Sequence, residues 1–458
     1  MEILGKAKGD AMTNVARNRP RAGLSLFVVF AAWSLLPVLF AQAHTPAAAA
    51  KSASTSPSSG SGRVALYAAL GDELNLYDVD VADAALVRQA SVTLPGNIQE
   101  AWPHPSMQIL YVAWSNGGPS YATLSTDSVS KGDRHGVSAF RIDPASGVLQ
   151  TLGQPAPLPS RPIHVTVDIS GTHVLTAHND PSGVTVHRIN PDGTIGALVP
   201  EPAELDVGVY AHQVRVDSSN TTVILVTRGN GPTAAKPEDP GALRIFDYND
   251  GVLANRASIA PGGGFNFQSR HLDFHPTQPW IVLTLERQNK IEVYRKLSDG
   301  TPSPEPSFVK DTLADPQHVR PMQAAGTIHI HPTGKFVYVA NRASSTVDFK
   351  GQQVFAGGEN NIAVFSINPA TGEPTLIQNI DTRGMSARTF ALDPSGRILV
   401  AANQFPMMVR AGSTLRTVPA SLAVYRVRSD GKLEFVRKYD VEAGSGKTLF
   451  WAGIVPLA

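Results

Sequence analysis

The sequence predicts an all-β fold, a seven-bladed β-propeller whose N- and C-terminal strands share one blade. Three observations predict it. Segments anchored at His104, Asp168, Asp217, His275, His331 and Asp393 recur at spacings of 64, 49, 58, 56 and 62 residues. Most of them contain the makings of four short strands, the signature of propeller blades at this period. Each end of the chain carries the piece that the other lacks, so joining them closes a ring and removes the open sheet edges.

The repeating unit is clearest at Arg270–Tyr294, RHLDFHPTQPWIVLTLERQNKIEVY. His271–His275 reads as a strand, Pro276–Pro279 as a polar, Pro-rich turn, Trp280–Leu285 as a second strand and Lys290–Tyr294 as a third. The second strand is apolar and largely β-branched, as expected where both faces are covered. It stops on Glu286. Residues paired across this hairpin have numbers summing to about 556, which sets Arg270 beside Glu286 as a salt bridge or as part of a site.

Taken in order, the chain opens on Arg17, Arg19 and Arg21, then the apolar run Leu24–Phe40, then Ala41-Gln42-Ala43. A charged stretch, an apolar stretch and a small-x-small site make an export signal, so residues 1–43 are expected to be removed and the mature protein to begin near His44. The alternative is a retained anchor, but the run has 17 residues, at the low limit for spanning, and Pro37 interrupts it. The arginines are not adjacent, so a twin-arginine signal is not supported. Residues 44–62, rich in Ala, Ser, Pro and Gly, read as a disordered linker. Residues 63–458 are the propeller, expected to be periplasmic or secreted and without stable membrane insertion after signal cleavage.

Val64–Leu70, Leu74–Val79 and Ala85–Leu94 read as strands two to four of a blade that lacks its first. Thr448–Val455 is a lone strand with no followers, and supplies it. Between them, each anchor is followed by a turn and an apolar second strand: ILYVAW, HVLTA, TVILVT, WIVLTL, FVYVA and ILVAA. Third strands such as VSAFRID, VTVHRIN and IAVFSIN follow, and an Asp-Gly or Thr-Gly turn then leads into a fourth. Three connections, Gly229–Gly241, Ala343–Gly358 and Phe405–Pro419, are longer than ordinary ones and are expected to overhang one face.

Because blades share an orientation, equivalent positions should line one mouth of the central channel. About eleven residues after each anchor stand Ser115, Asp180, Arg228, Glu286, Arg342 and Gln404; five residues before it stand Gln99, Ile163, His212, Arg270, Gly326 and Arg388. One mouth therefore gathers four arginines, two carboxylates and a histidine. Such a ring can pair internally and line a wet channel. Its surplus positive charge instead favours an anionic or carboxylate-bearing ligand held bidentately. His104, His275 and His331 fall at turns far from this mouth and read as turn or surface residues; His329 reads as a core or channel residue. A metal held by Asp180, Glu286 and Gln404 is disfavoured by the neighbouring arginines.

Composition excludes other classes. The 458 residues are 42% hydrophobic and 17% charged, enough for a large core, and 39 Gly and 35 Pro suit many tight turns. A net charge of +1 without a basic run gives no footprint for nucleic acid. The absence of Cys excludes disulfides, thiolate metal sites and a Cys nucleophile. There is no HExxH, GxSxG, Walker loop or EF-hand pattern, and no cofactor is implied.

The segments SRHLDFHPTQPWIVLTLE, TIHIHPTGKFVYVANR, ARTFALDPSGRILVAANQ and HQVRVDSSNTTVILVTRG together resemble the seven-bladed lactonase family, from Val64 to the C-terminus. That family includes propeller-type 6-phosphogluconolactonases and the fungal 3-carboxy-cis,cis-muconate lactonizing enzyme. The resemblance implies a site of one histidine, two arginines and a glutamate, carried here by His212, Arg270, Glu286 and Arg342; the register positions Arg228, Arg388, Gln404 and Asp180 are expected as substrate-binding neighbours. Two departures bear on the substrate: the glycine-rich lead-in is GGGFNFQ, and Thr227-Arg228 stands where an acidic residue is expected. Phosphogluconate chemistry is cytosolic, so an export signal argues against that substrate. The implied reaction is opening of a small anionic or polyhydroxylated lactone, with His212 or Glu286 as base and Arg270 or Arg342 stabilising the oxyanion. Cycloisomerisation would use the same parts, and a non-catalytic ligand- or protein-binding propeller would need none of them.

Overall fold

Leu449–Pro456 pairs with Val64–Leu70, from Val64 against Pro456 to Leu70 against Leu449, so the end of the chain supplies the inner strand of the blade begun at its start. The computed structural model describes residues 62–117, 131–444 and 446–457; the expected export signal and all but the last residue of the expected linker lie outside them. Seven four-stranded antiparallel sheets follow. The first blade runs Leu449–Pro456, Val64–Leu70, Glu73–Asp80, Ala85–Thr93. The inner strands of the other six are Asn97–Pro103, Pro162–Val167, Ala211–Val216, Ser269–Phe274, Gln323–Ile330 and Ala387–Leu392. Each inner strand packs beside the next, and Ala387–Leu392 returns to Leu449–Pro456, closing the ring.

Burial explains why these runs are strands. Second strands such as Ile109–Ser115, Thr222–Thr227 and Ile398–Asn403 are buried along their whole length, because a blade covers each face. Outer strands such as Leu149–Pro157 are mostly exposed. The cores lie between blades: Leu66 and Ala68 of the first pack with Val400 and Val424 of the last.

Polar latches tie the blades. His104, His275 and His331 donate from Nε2 to the carbonyls of Gly171, Gly334 and Gly396 in the following blade, at 2.8, 2.9 and 3.0 Å. Tyr67, Tyr111 and Tyr338 likewise reach Gly147, Gly193 and Gly431 at 2.6, 2.9 and 2.9 Å. The turn histidines are therefore not idle surface groups; His104 and His331 are buried. The fit demands glycine: Gly171 has φ +72°, and a Cβ there would sit 2.5 Å from the His104 ring.

Two of the three long connections contain hairpins, Thr346–Phe349 with Gln352–Phe355 and Met407–Ala411 with Thr414–Val418. The Arg410 guanidinium lies 4.5 Å from the Phe349 ring and joins them. Gly229–Gly241 has only the bridge between Asn230 and Asp239. Among the described residues no helix is long and apolar enough to cross a membrane.

The closing strand buries Phe450, Trp451, Ala452 and Val455. A chain ending at Lys447 is expected to lose its sharp melting transition by circular dichroism, because the first blade is left with an open edge. A transition as sharp as that of the full chain would show that three strands suffice.

Candidate active site

In every blade the innermost hairpin slips register at the same level. The residues at the slip are Gln99, Ile163, His212, Arg270 with His271, Gly326 with Thr327, Arg388 and, in the closing strand, Phe450. A β-bulge sets two residues against one and breaks the alternation of side chains, which re-aims the extra residue. Six of these slips contain the position five residues before an anchor; Phe450 completes the ring.

The slip changes the expected pairing. Ser269 stands opposite Leu285, and the Glu286 amide donates to the Gln268 carbonyl at 2.9 Å, so Arg270 is not the cross-strand partner of Glu286. Their side chains meet instead, with Arg270 Nε 3.3 Å from Glu286 Oε1. Arg228 Nη1 donates to Glu286 Oε2 at 3.2 Å, and Arg342 Nη2 donates to Oε1. Three guanidiniums thus surround one carboxylate, brought by blades four, five and six. Glu286 is 6% exposed and Arg270 has no exposed surface. Burial alone would raise the Glu286 carboxyl, but the charges of Arg342, Arg228 and Arg270 and the Arg228 hydrogen bond outweigh it and hold it down at about 2.

His212 is buried, and its Nδ1 has no hydrogen-bond partner among the described residues. Burial, then the charges of Arg270, Arg388, Arg228 and Arg342, keep its pKa well below the ordinary imidazole value, so it is neutral. Arg388 is buried with its guanidinium 3.8 Å from the Phe450 ring, and Arg228 lies 3.8 Å from the Tyr210 ring. Arg270 Nη2 and Gln404 Nε2 are buried donors without acceptors. Neutral imidazole, unsatisfied donors and more guanidiniums than carboxylates make a mouth suited to an anion.

Asp180 does not join this cluster. The residue that ends the second strand of its blade is Asn179, buried; Asp180 comes one later and turns out to Lys131 at 2.8 Å with an exposed side chain. Ser115 is buried and bonded to His135 at 2.9 Å. Among the described residues the register positions at the mouth therefore bring one carboxylate where two were expected.

Sequence register missed several groups. His271 shares the Arg270 bulge, accepts from Arg270 Nη1 at 3.3 Å and sits with its ring 5.0 Å from that of His212. His164 follows at 5.9 Å. Glu100 stands next to the bulge residue Gln99 and feels Arg388 and Arg270 from below. Arg161 reaches Gln99 Oε1 at 2.5 Å. The available signal was the bulge, since a residue beside a slip also faces the channel.

The sequence profile of the family described as "Lactonase, 7-bladed beta-propeller" matches residues 104–410. A Bacillus subtilis protein named 6-phosphogluconolactonase is 29% identical over 296 residues, 63% of this chain and 78% of its own length. One of the same name from Serratia proteamaculans is 24% identical over 400 residues, 85% of this chain and 98% of its own. The solved structure of the Pseudomonas aeruginosa periplasmic gluconolactonase shares the fold, with a TM-score of 0.60 and 19% identity, over 86% of this chain and all of that one.

The Glu286 cluster sets an acid-stability signature. A carboxylate whose folded pKa is depressed contributes stability that is full above its unfolded value and lost as pH falls toward the folded one. Unfolding free energy is therefore expected to drop between about pH 4.5 and about pH 2 through Glu286. Glu286→Gln should lack that component in pH-dependent denaturant titrations. At neutral pH it should be destabilised by about 3–5 kcal/mol, the range for breaking a buried ion pair.

Proposed function

The chain belongs to the seven-bladed β-propeller lactonase family, and from that premise we propose that it is a hydrolase opening a small sugar-acid or carboxylated lactone in the cell envelope. The observation that carries the reading is the Arg228–Arg270–Arg342 grip on Glu286 in the same arginine field as a neutral His212 whose Nδ1 has no hydrogen-bond partner among the described residues. The curated relatives named 6-phosphogluconolactonase support the reaction class. The envelope assignment is supported by the export-signal pattern of residues 1–43 and by the likeness to the Pseudomonas aeruginosa periplasmic gluconolactonase. An envelope location favours an unphosphorylated substrate.

The geometry divides the roles. Glu286 is a poor base, since both of its oxygens are engaged by guanidiniums that hold the carboxylate ionised. Its role is to keep three like charges together. His212 is the base: its neutral imidazole takes a proton from water as the water oxygen adds to the lactone carbonyl carbon. The carbonyl electrons move to oxygen, and the oxyanion is stabilised by the guanidiniums. Arg342 and Arg228 have some exposed side-chain surface, at 14% and 12%, and are placed to touch substrate. Arg270 is fully buried and acts through the field it adds. The tetrahedral intermediate collapses by breaking the ring C–O bond, and the departing alkoxide takes the proton back from His212. The product is a hydroxy acid, which ionises and releases one proton.

That proton gives the assay. Purified protein is expected to accelerate proton release from a lactone panel above the spontaneous rate, with muconate-type dienoates included to detect ring closure. His212→Ala should lower kcat by about 10²–10⁴-fold, the usual cost of losing a general base. Arg342→Ala should raise KM more for a carboxylated lactone than for an uncharged one. Unchanged turnover in both variants, with only a lower Tm, would make the ring structural and turn the reading to a binding propeller.

A further inference from the structure

The half of the channel away from the arginine mouth holds a cavity of about 370 Å³, within the roughly 300–1,000 Å³ of small-molecule sites. It reaches the turns Pro332 and Pro394 at the far ends of the inner strands. The bulged ends of those strands form the arginine mouth, so this cavity belongs to the opposite face.

Its walls are chemically distinct from that mouth. Trp102, Trp451 and Phe390 give it aromatic surface, and Glu100, His164 and His271 give it polar groups. Trp451 donates a hydrogen bond to the Glu100 carboxyl. Burial outweighs the pull of Arg388 and pushes Glu100 up to about 8, which favours its neutral form at neutral pH. Burial also keeps His164 and His271 neutral. Arg215, the guanidinium on the wall, is already committed to Asp273 at 3.2 Å and to the Leu272 carbonyl at 3.2 Å. His164 is 2% exposed, and its Nδ1 has no partner.

Elimination by charge leaves one class of ligand. A cation would face Arg215 with Arg270 and Arg388 behind it, and the Asp393 carboxylate on the wall is already taken up by Ser395 and the Ile398 amide. An anion would find one guanidinium, Arg215, that is already paired to Asp273. A purely apolar molecule would leave the buried His164 nitrogen unsatisfied and cover the part-buried Glu100 hydroxyl without a partner, both of which are costly. We propose that this cavity is a second binding site, for an uncharged hydroxylated ring such as a pyranose. One apolar ring face lies against the indoles, and the hydroxyls bond Glu100, His164 and His271. The site is independent of turnover at the arginine mouth.

Because Trp102 and Trp451 line the cavity, occupancy is readable by tryptophan fluorescence, with calorimetry as a second measure. The probes are methyl β-D-glucoside and myo-inositol, which have no lactone to open, against gluconate and choline. Saturable binding of a neutral probe is expected, with gluconate and choline at least about tenfold weaker. His164→Phe should abolish binding, and Glu100→Leu should weaken it, in protein whose melting curve matches the wild type. Should His164→Phe fail to fold, Glu100→Leu alone decides. Arg342→Ala alters only the other mouth and should bind the neutral probe as the wild type does. No saturation by either neutral probe overturns the proposal. So does equal binding of gluconate or choline, or loss of binding in Arg342→Ala, which would move the ligand to the arginine mouth.

Discussion

Four guanidiniums repel one another, and a channel mouth that collects Arg228, Arg270, Arg342 and Arg388 needs a carboxylate at its centre and a rigid frame around it. Glu286 supplies the first, bonding to arginines from its own blade and both neighbours. The closed ring supplies the second. An open sheet could relax by spreading its strands apart, whereas the pairing of Leu449–Pro456 with Val64–Leu70 leaves the blades no free edge to move toward. The histidine and tyrosine latches resist the same motion between neighbours. Removing Glu286 or the closing strand therefore attacks one balance from opposite sides.

Most of the frame was legible in the sequence because it rests on local chemistry repeated along the chain. Each apolar second strand follows a His or Asp turn, and the orphan strand at one end matches the gap at the other, so blade number and closure could be read without tertiary information. What stayed hidden depends on contacts between blades. His104 looks like a turn residue until its partner Gly171, 67 positions later, is seen across the blade boundary. The two hairpins inside the long connections were also unreadable, since VDFKGQQV has no strong apolar alternation and its pairing depends on the partner loop.

The candidate site was legible to the extent that register is. Counting from the anchors picked out the positions of His212, Arg270, Glu286, Arg342, Arg388 and Gln404, all of them buried or nearly so. Counting failed in blade three, where Asn179 fills the position and Asp180 lies one residue beyond. One step along a strand reverses the direction of a side chain, so an error of one residue moved a carboxylate from the channel to the surface. The bulges explain what was missed altogether. A slip lets two successive residues face the channel, so His271 lies beside Arg270 in a position that strict alternation assigns to the other face. Glu100, next to Gln99, escaped for the same reason.

The two carboxyls of the channel show how one ring separates two environments. Glu286 and Glu100 both act on Arg270, and burial raises both, yet one is held at about 2 and the other at about 8. The difference is the number of guanidiniums within contact. Glu286 has three, close enough to overcome desolvation; Glu100 has a hydrogen bond from Trp451 and arginines acting from farther away. At neutral pH the upper half of the channel therefore carries surplus positive charge, while the lower half has Arg215 paired to Asp273 and a carboxyl pushed toward its neutral form. Carboxyls driven apart in this way are suited to different work. The upper half is suited to a charged or polarisable ligand, and on the proposed reading the lower half takes one that needs no counter-ion. A charge carried through the channel would have to leave the one environment for the other past Arg270, which has no exposed surface and is fixed by Glu286. The buried arginine thus divides the two environments, and on the proposed reading the substrate's carboxylate and the one formed in the product both stay on the arginine side.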